Sequence, residues 1–89
     1  MIDNIFYKNY PCIDLHGYDT ESARVAVNDF INDNLLLNNH TILIIHGKGT
    51  GAVKKSVHEN LSKNKQVLSY SQDTFNEGVT IVHLFLDKH

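Results

Sequence analysis

Tryptophan is absent from this 89-residue sequence, and proline, cysteine and methionine occur once each. A single thiol, Cys12, closes no internal disulfide, and its place beside a strand-like run reads as packing rather than as a nucleophile. No apolar run approaches the roughly 20 residues a membrane span needs, so no membrane partner is expected. Residues 1–12 lack a basic segment leading into an apolar stretch; a secretory signal is therefore not expected, and the expected location is cytoplasmic. Neither sign of charge dominates. Eight Lys and Arg against ten Asp and Glu leave a net charge of −2, which argues against bulk electrostatic coating of nucleic acid but allows a local basic face.

The chain's length fits one domain, expected over 12–89 behind an N-terminal arm of residues 1–11. A domain of this size buries only about two-thirds of its unfolded surface. Apolar residues at 42% and charged residues at 20% are globular proportions. The lysines are uneven: Lys48, Lys54, Lys55, Lys63 and Lys65 share one stretch, while Asp19, Glu21, Asp29 and Asp33 precede it. Solvated helix faces account for such runs as readily as a binding surface does.

Apolar and polar residues alternate over 12–16, with Ile13 and Leu15 facing one way and Asp14 and His16 the other, as on a strand with one open side. Asp19 or Thr20 can cap a helix, and Ala23, Ala26, Val27, Phe30, Ile31 and Leu35 continue an i, i+3, i+4 stripe until Asn38-Asn39. Thr41 to Ile45 is a short apolar run before Gly47, fitting a central strand with neighbours on both sides. Val53, Val57 and Leu61 mark a second helix ending within 62–64. A third strand is expected near 66–71 and a fourth over 79–86. The order is β-α-β-α-β-β. Two right-handed crossovers progressing in one direction put both helices on one face, giving an α/β two-layer sandwich with a mixed four-stranded sheet and a partly open second face.

Two strand-like runs end alike, Ile13-Asp14-Leu15-His16-Gly17 and Ile42-Leu43-Ile44-Ile45-His46-Gly47. Ligands of open α/β sheets bind outside the carboxyl ends of parallel strands, so a crossover helix would bring both histidines to one edge. There His16 and His46 suit a general base and general acid pair acting on a phosphodiester, since imidazoles titrate near neutrality. Asp14, two residues before His16 on the same side of the strand, would orient that imidazole, join it on a divalent metal such as Mn or Mg, or accept backbone N–H bonds from its own turn. Gly47, Lys48 and Gly49 are expected to open the second helix. Backbone N–H groups at its start, with Thr50, Gly51 and Gly17 nearby, would hold phosphate, and Lys54 and Lys55 would follow a nucleic-acid backbone. This is no Walker A loop, because Ile42 stands where its first glycine belongs, and Ala52 replaces the last glycine of GxGxxG. His40, His58, His83 and His89 lack comparable settings. Tyr7, Tyr10 and Tyr18 have the rings to stack on unpaired bases, although ordinary packing explains them as well.

Asp14-Leu15-His16-Gly17 resembles the DLHG signature of the Smr (small MutS-related) domain, and His46-Gly47-Lys48-Gly49-Thr50-Gly51 resembles its HGxGxG motif. Gly78-Val79-Thr80-Ile81-Val82 is similar to the family's closing G-x-T-x-V strand, so the resemblance spans roughly residues 12–86. It implies a βαβαββ fold similar to the C-terminal domain of translation initiation factor three, and work on nucleic acid: some members nick DNA and others cleave RNA. Two departures stand out. Ser22 occupies a position where many members have Glu, and Asn76-Glu77-Gly78-Val79 is poorer in glycine than the loop of many relatives. The resemblance implies an endonuclease or nicking enzyme acting on DNA or RNA through Asp14, His16 and His46. A non-catalytic nucleic-acid-binding module, associated with RNA or ribosomes, is the alternative. A protein-interaction adaptor using the open sheet face is a third reading.

Overall fold

The computed structural model describes residues 10–47, 51–74, 76 and 78–85, so most of the expected arm and the Lys48-Gly49-Thr50 segment lie outside the described residues. The elements follow the expected order: β1 (Cys12–Asp14), α1 (Thr20–Leu36), β2 (Thr41–Ile45), α2 (Ala52–Lys63), β3 (Val67–Gln72) and β4 (Val79–Leu84). They form one mixed sheet in the order β1-β2-β4-β3, with β1 parallel to β2 and β4 antiparallel to both its neighbours. The unbroken apolar strand is therefore interior to the sheet.

Local chemistry explains the boundaries. Asp19 caps α1, its carboxylate accepting the Ser22 N–H at 2.7 Å. At the other end Asn38 turns to a φ of 63°, and Asn39 N–H donates to Asn34 O at 2.8 Å. The apolar stripe gains one polar member, Asn34, which is buried. Its amide donates to Phe30 O at 2.8 Å and accepts from Asn39 Nδ2 at 2.9 Å, so burial leaves its side chain paired. The second helix starts later than the glycines suggest. Gly51, at a φ of 87°, is its N-cap without a side-chain cap bond, and Ala52 rather than Gly47 opens α2.

Both helices cover one face of the sheet. Val27 and Ile31 of α1, Val57 and Leu61 of α2, and Leu15, Ile42, Ile44, Val82 and Leu84 of the sheet side share one buried cluster. Asn60 Nδ2 donates to Asn28 Oδ1 at 2.9 Å, tying α2 to α1. On the sheet's other side, Leu43 and Ile81 are register partners, as are Ile45 and Val79. Leu43 and Val79 are nonetheless buried, so that face is only partly open.

Candidate functional site

The two His-Gly segments do meet at one sheet edge. Asp14 pairs with Ile45, and one residue further Leu15 N–H donates to Ile45 O at 2.7 Å. Tyr18 N–H then returns to Leu15 O at 3.0 Å, a turn that Gly17 completes at a φ of 83°. Beyond β2 the carbonyl of Gly78 accepts two N–H groups, from His46 at 2.8 Å and Gly47 at 3.1 Å. A Cβ on Gly78 would stand 3.1 Å from Gly47 Cα and 3.2 Å from Gly47 C. The second signature turn is thus clamped to the start of β4 by glycine lying on glycine.

The side chains at that edge do not converge. Asp14 alternates with Ile13 and Leu15, which pack on the helix side, and so projects to the opposite face. Its Oδ1 accepts the backbone N–H of His16 at 2.9 Å, the turn-stabilising role among those expected for it. His16 is exposed in the turn, and its ring makes no hydrogen bond to another described residue. His46 instead faces the helices and is 7% exposed. Asp14 and His46 lie on opposite faces of the sheet.

What His46 meets is a histidine the motifs did not single out. His46 Nε2 lies 2.8 Å from Thr80 Oγ1, and His58 Nε2 of α2 lies 2.8 Å from the same oxygen. Thr80 is fully buried. The rings of His46 and His58 meet edge to face at 5.9 Å between centroids, and His58 meets Tyr70 of β3 likewise at 5.1 Å. Burial lowers the pKa of both histidines, and Lys54 nearby lowers both further; the His46–His58 interaction also lowers that of His58, whereas the Gly47 carbonyl acts upward on His46. Both shifts favour the uncharged form, so at neutral pH the imidazoles are mainly neutral.

Donor and acceptor counting then fixes the protons. Gly47 O, 3.1 Å from His46 Nδ1, can only accept, so that nitrogen carries the hydrogen and Nε2 is the acceptor. The Thr80 hydroxyl donates its one hydrogen to His46 Nε2, and Thr80 Oγ1 in turn accepts from His58 Nε2–H. His58 Nδ1 is left with a lone pair. His58 also lines an open groove of about 350 Å³ with Gly51, Lys54, Lys55, Glu59, Ser62 and Tyr70.

His58, Thr80 and Tyr70 are the residues the motif reading missed. The signal for His58 lay in helical spacing: Gly51, Lys54, Lys55, His58 and Ser62 recur at three- and four-residue steps along one side of α2. Thr80 stands out in the sequence only as the hydroxyl of the closing Gly78-Val79-Thr80-Ile81-Val82 strand. Of the expected phosphate-binding group, Gly47 and Gly51 flank the undescribed Lys48, Gly49 and Thr50, Lys54 and Lys55 line the groove, and Gly17 lies in the other turn. Asp14 and His16, the candidate ligands of a divalent metal, both lie at the first signature turn. One Asp14 oxygen is engaged by the His16 backbone, and among the described residues no three His, Cys, Asp or Glu side chains gather in a ligand cluster.

A comparison with curated proteins gives no match. Among solved structures, the Smr domain of Thermus thermophilus MutS2 is 31% identical and superposes with a TM-score of 0.82, covering 84% of this chain and 98% of its own. YdaL of Escherichia coli, a stand-alone small MutS-related protein, is 26% identical with a TM-score of 0.79, covering 93% of this chain and 72% of its own. The family model for the Smr domain matches residues 13–85. That span runs from the β1 strand to the end of the described β4 side, and the chain belongs to the Smr domain family.

Proposed function

We propose that this Smr domain binds the sugar-phosphate backbone of DNA or RNA beside its two His-Gly turns and cleaves a phosphodiester there. The coarse part rests on family: Smr domains are associated with nucleic acid, and some members bind and nick it. The finer part is carried by the groove on α2, where Lys54 and Lys55 supply positive charge next to a half-buried imidazole held neutral. A neutral imidazole adds no charge for attracting phosphate. A surface that only bound nucleic acid would gain little from keeping two histidines uncharged, whereas proton transfer requires a neutral acceptor.

In this reading Lys54 and Lys55 offset phosphate charge, and Gly47 and Gly51, both at positive φ with no side chain, leave the main chain open to a phosphate. His16, exposed in the first turn, is free to reach a strand lying across the edge as a second proton-transfer group. A non-catalytic binding module is the competing reading. Two observations favour it: Asp14 stabilises its own turn, and both ring nitrogens of His46 already have partners.

A time course on supercoiled plasmid and on folded RNA, in manganese, magnesium or EDTA, separates the two. Cleavage by the wild type that His16→Ala removes supports the enzyme. Lys54→Ala and Lys55→Ala should each weaken nucleic-acid binding and reduce the slope of log affinity against log salt by about 1. Salt-dependent binding with no cleavage overturns the nuclease and leaves the module. No binding at all overturns both.

A further inference from the structure

We infer that His58 is the proton-accepting group of this site and that Thr80 positions it by bridging it to His46. The inference rests on the cleavage reading above and adds residues from outside both signature turns. His58 belongs to the groove wall together with Lys54 and Lys55, whereas His46 is 7% exposed and has both ring nitrogens engaged. Of the two coupled imidazoles, only His58 reaches the place where a phosphate would sit.

Three contacts restrict its ring. Nε2 is held on Thr80 Oγ1 at 2.8 Å, the Tyr70 ring meets one side edge to face, and the His46 ring meets another. The proton arrangement that Gly47 O imposes on His46 runs through the Thr80 hydroxyl and leaves the lone pair on His58 Nδ1. A hydroxyl nucleophile, from water or from a ribose, gives its proton to that nitrogen as its oxygen bonds to phosphorus. The bond from phosphorus to the leaving oxygen breaks, that oxygen takes a proton from His16 in its protonated form, and solvent carries the proton of His58 back to His16. During the step the positive charge need not stay on His58. Its Nε2 proton can pass to Thr80 Oγ1 as the Thr80 hydrogen passes to His46 Nε2, spreading the charge over two imidazoles. Lys54 opposes that charge, and Lys55 and Glu59, of opposite sign, share the groove.

The test compares the wild type with His58→Gln, Thr80→Val and Thr80→Ser, using the nucleic acid the wild type cleaves, across pH 5 to 9, with histidine ring NMR on the same proteins. His58→Gln should lower kcat by about 10²-fold or more with KM within about threefold, the usual size of a general-base contribution. Thr80→Val should lower kcat and move the acid limb of the pH profile, and Thr80→Ser, which restores the hydroxyl, should recover both. In NMR, His46 and His58 should titrate as a coupled pair in the wild type, and the coupling should weaken in Thr80→Val, where only their direct electrostatic interaction is left. Folded His58→Gln with wild-type kcat overturns the inference while leaving the nuclease intact. A wild type that binds nucleic acid but cuts none overturns the nuclease and the role of His58 together. A Thr80→Val protein whose histidines couple as strongly as those of the wild type overturns the bridge.

Discussion

Replacing Gly78 by alanine tests how tightly the second signature turn is clamped to β4. The residue is not in the left-handed region, so alanine can adopt its backbone conformation and the penalty is steric. The added methyl would sit 3.1 Å and 3.2 Å from two backbone atoms of Gly47, up to roughly 0.3 Å inside ordinary contact, and 3.3 Å from Asn76 Oδ1. Asn76 can rotate, but the Gly47 backbone cannot retreat without lengthening the His46 and Gly47 hydrogen bonds to Gly78 O. Overpacking of this kind costs about 1–3 kcal/mol, and the stiffer unfolded chain returns about 0.4–1 kcal/mol, leaving a net loss of about 1–2 kcal/mol. For a domain of this length that is a fall of roughly 4–16 °C in Tm. Urea denaturation followed by circular dichroism should show a lower midpoint at unchanged m-value, and amide exchange should quicken first at His46 and Gly47. A Gly78→Ala protein as stable as the wild type, with those two amides equally protected, would refute the clamp.

Other consequences are measurable on the same footing. Asp19→Ala removes the α1 cap and should cost about 1 kcal/mol in urea denaturation, with Asp19→Ser recovering most of it. Stability should fall on acidification. His46 and His58 have folded pKa values below the 6.5 of the unfolded chain, so their contribution is complete above that value, declines as pH drops through it, and levels off below the lowered folded values. The slope has a ceiling of about 1.4 kcal/mol per pH unit for each histidine, and His58→Gln should make it shallower; a flat profile from pH 7.5 to 5.5 would contradict the burial of the pair. Asp14→Ala should loosen the first turn, raising exchange at the His16 amide, because its carboxylate accepts that N–H. An unchanged His16 amide would show that the turn holds through the Tyr18–Leu15 backbone bond alone.

The order of elements was legible because each obeys one period. Val53, Val57 and Leu61 recur at a helical step, Ile13 and Leu15 alternate with polar residues, and Thr41–Ile45 is too short for anything but an interior strand. Asn34 broke the α1 stripe without breaking the helix, because its amide found Phe30 O one turn back and Asn39 just past the helix end. The start of α2 was less legible. Glycines at 47, 49 and 51 all permit a turn, and only the backbone conformation at Gly51 decides which of them precedes the helix.

The candidate site was half legible, and the division follows from how a sheet presents side chains. His16 and His46 meet at one edge as turns, since parallel strands joined by one helix end there. A shared edge is not a shared face. The pairing of Asp14 with Ile45 puts the next residue, His46, on the helix side and Asp14 on the other, so two similar motifs offset by one residue in register supply chemistry to different surfaces. On the helix side the partner of His46 has to come from α2 or β4, elements 12 to 34 residues further along the chain: His58 and Thr80. No local period announces a contact of that range. What the sequence does carry is the chemistry of Thr80, a hydroxyl amid the apolar run of β4, where burial obliges it to find hydrogen-bond partners across the fold. Two imidazoles meet that need at once, and their burial with it keeps both uncharged.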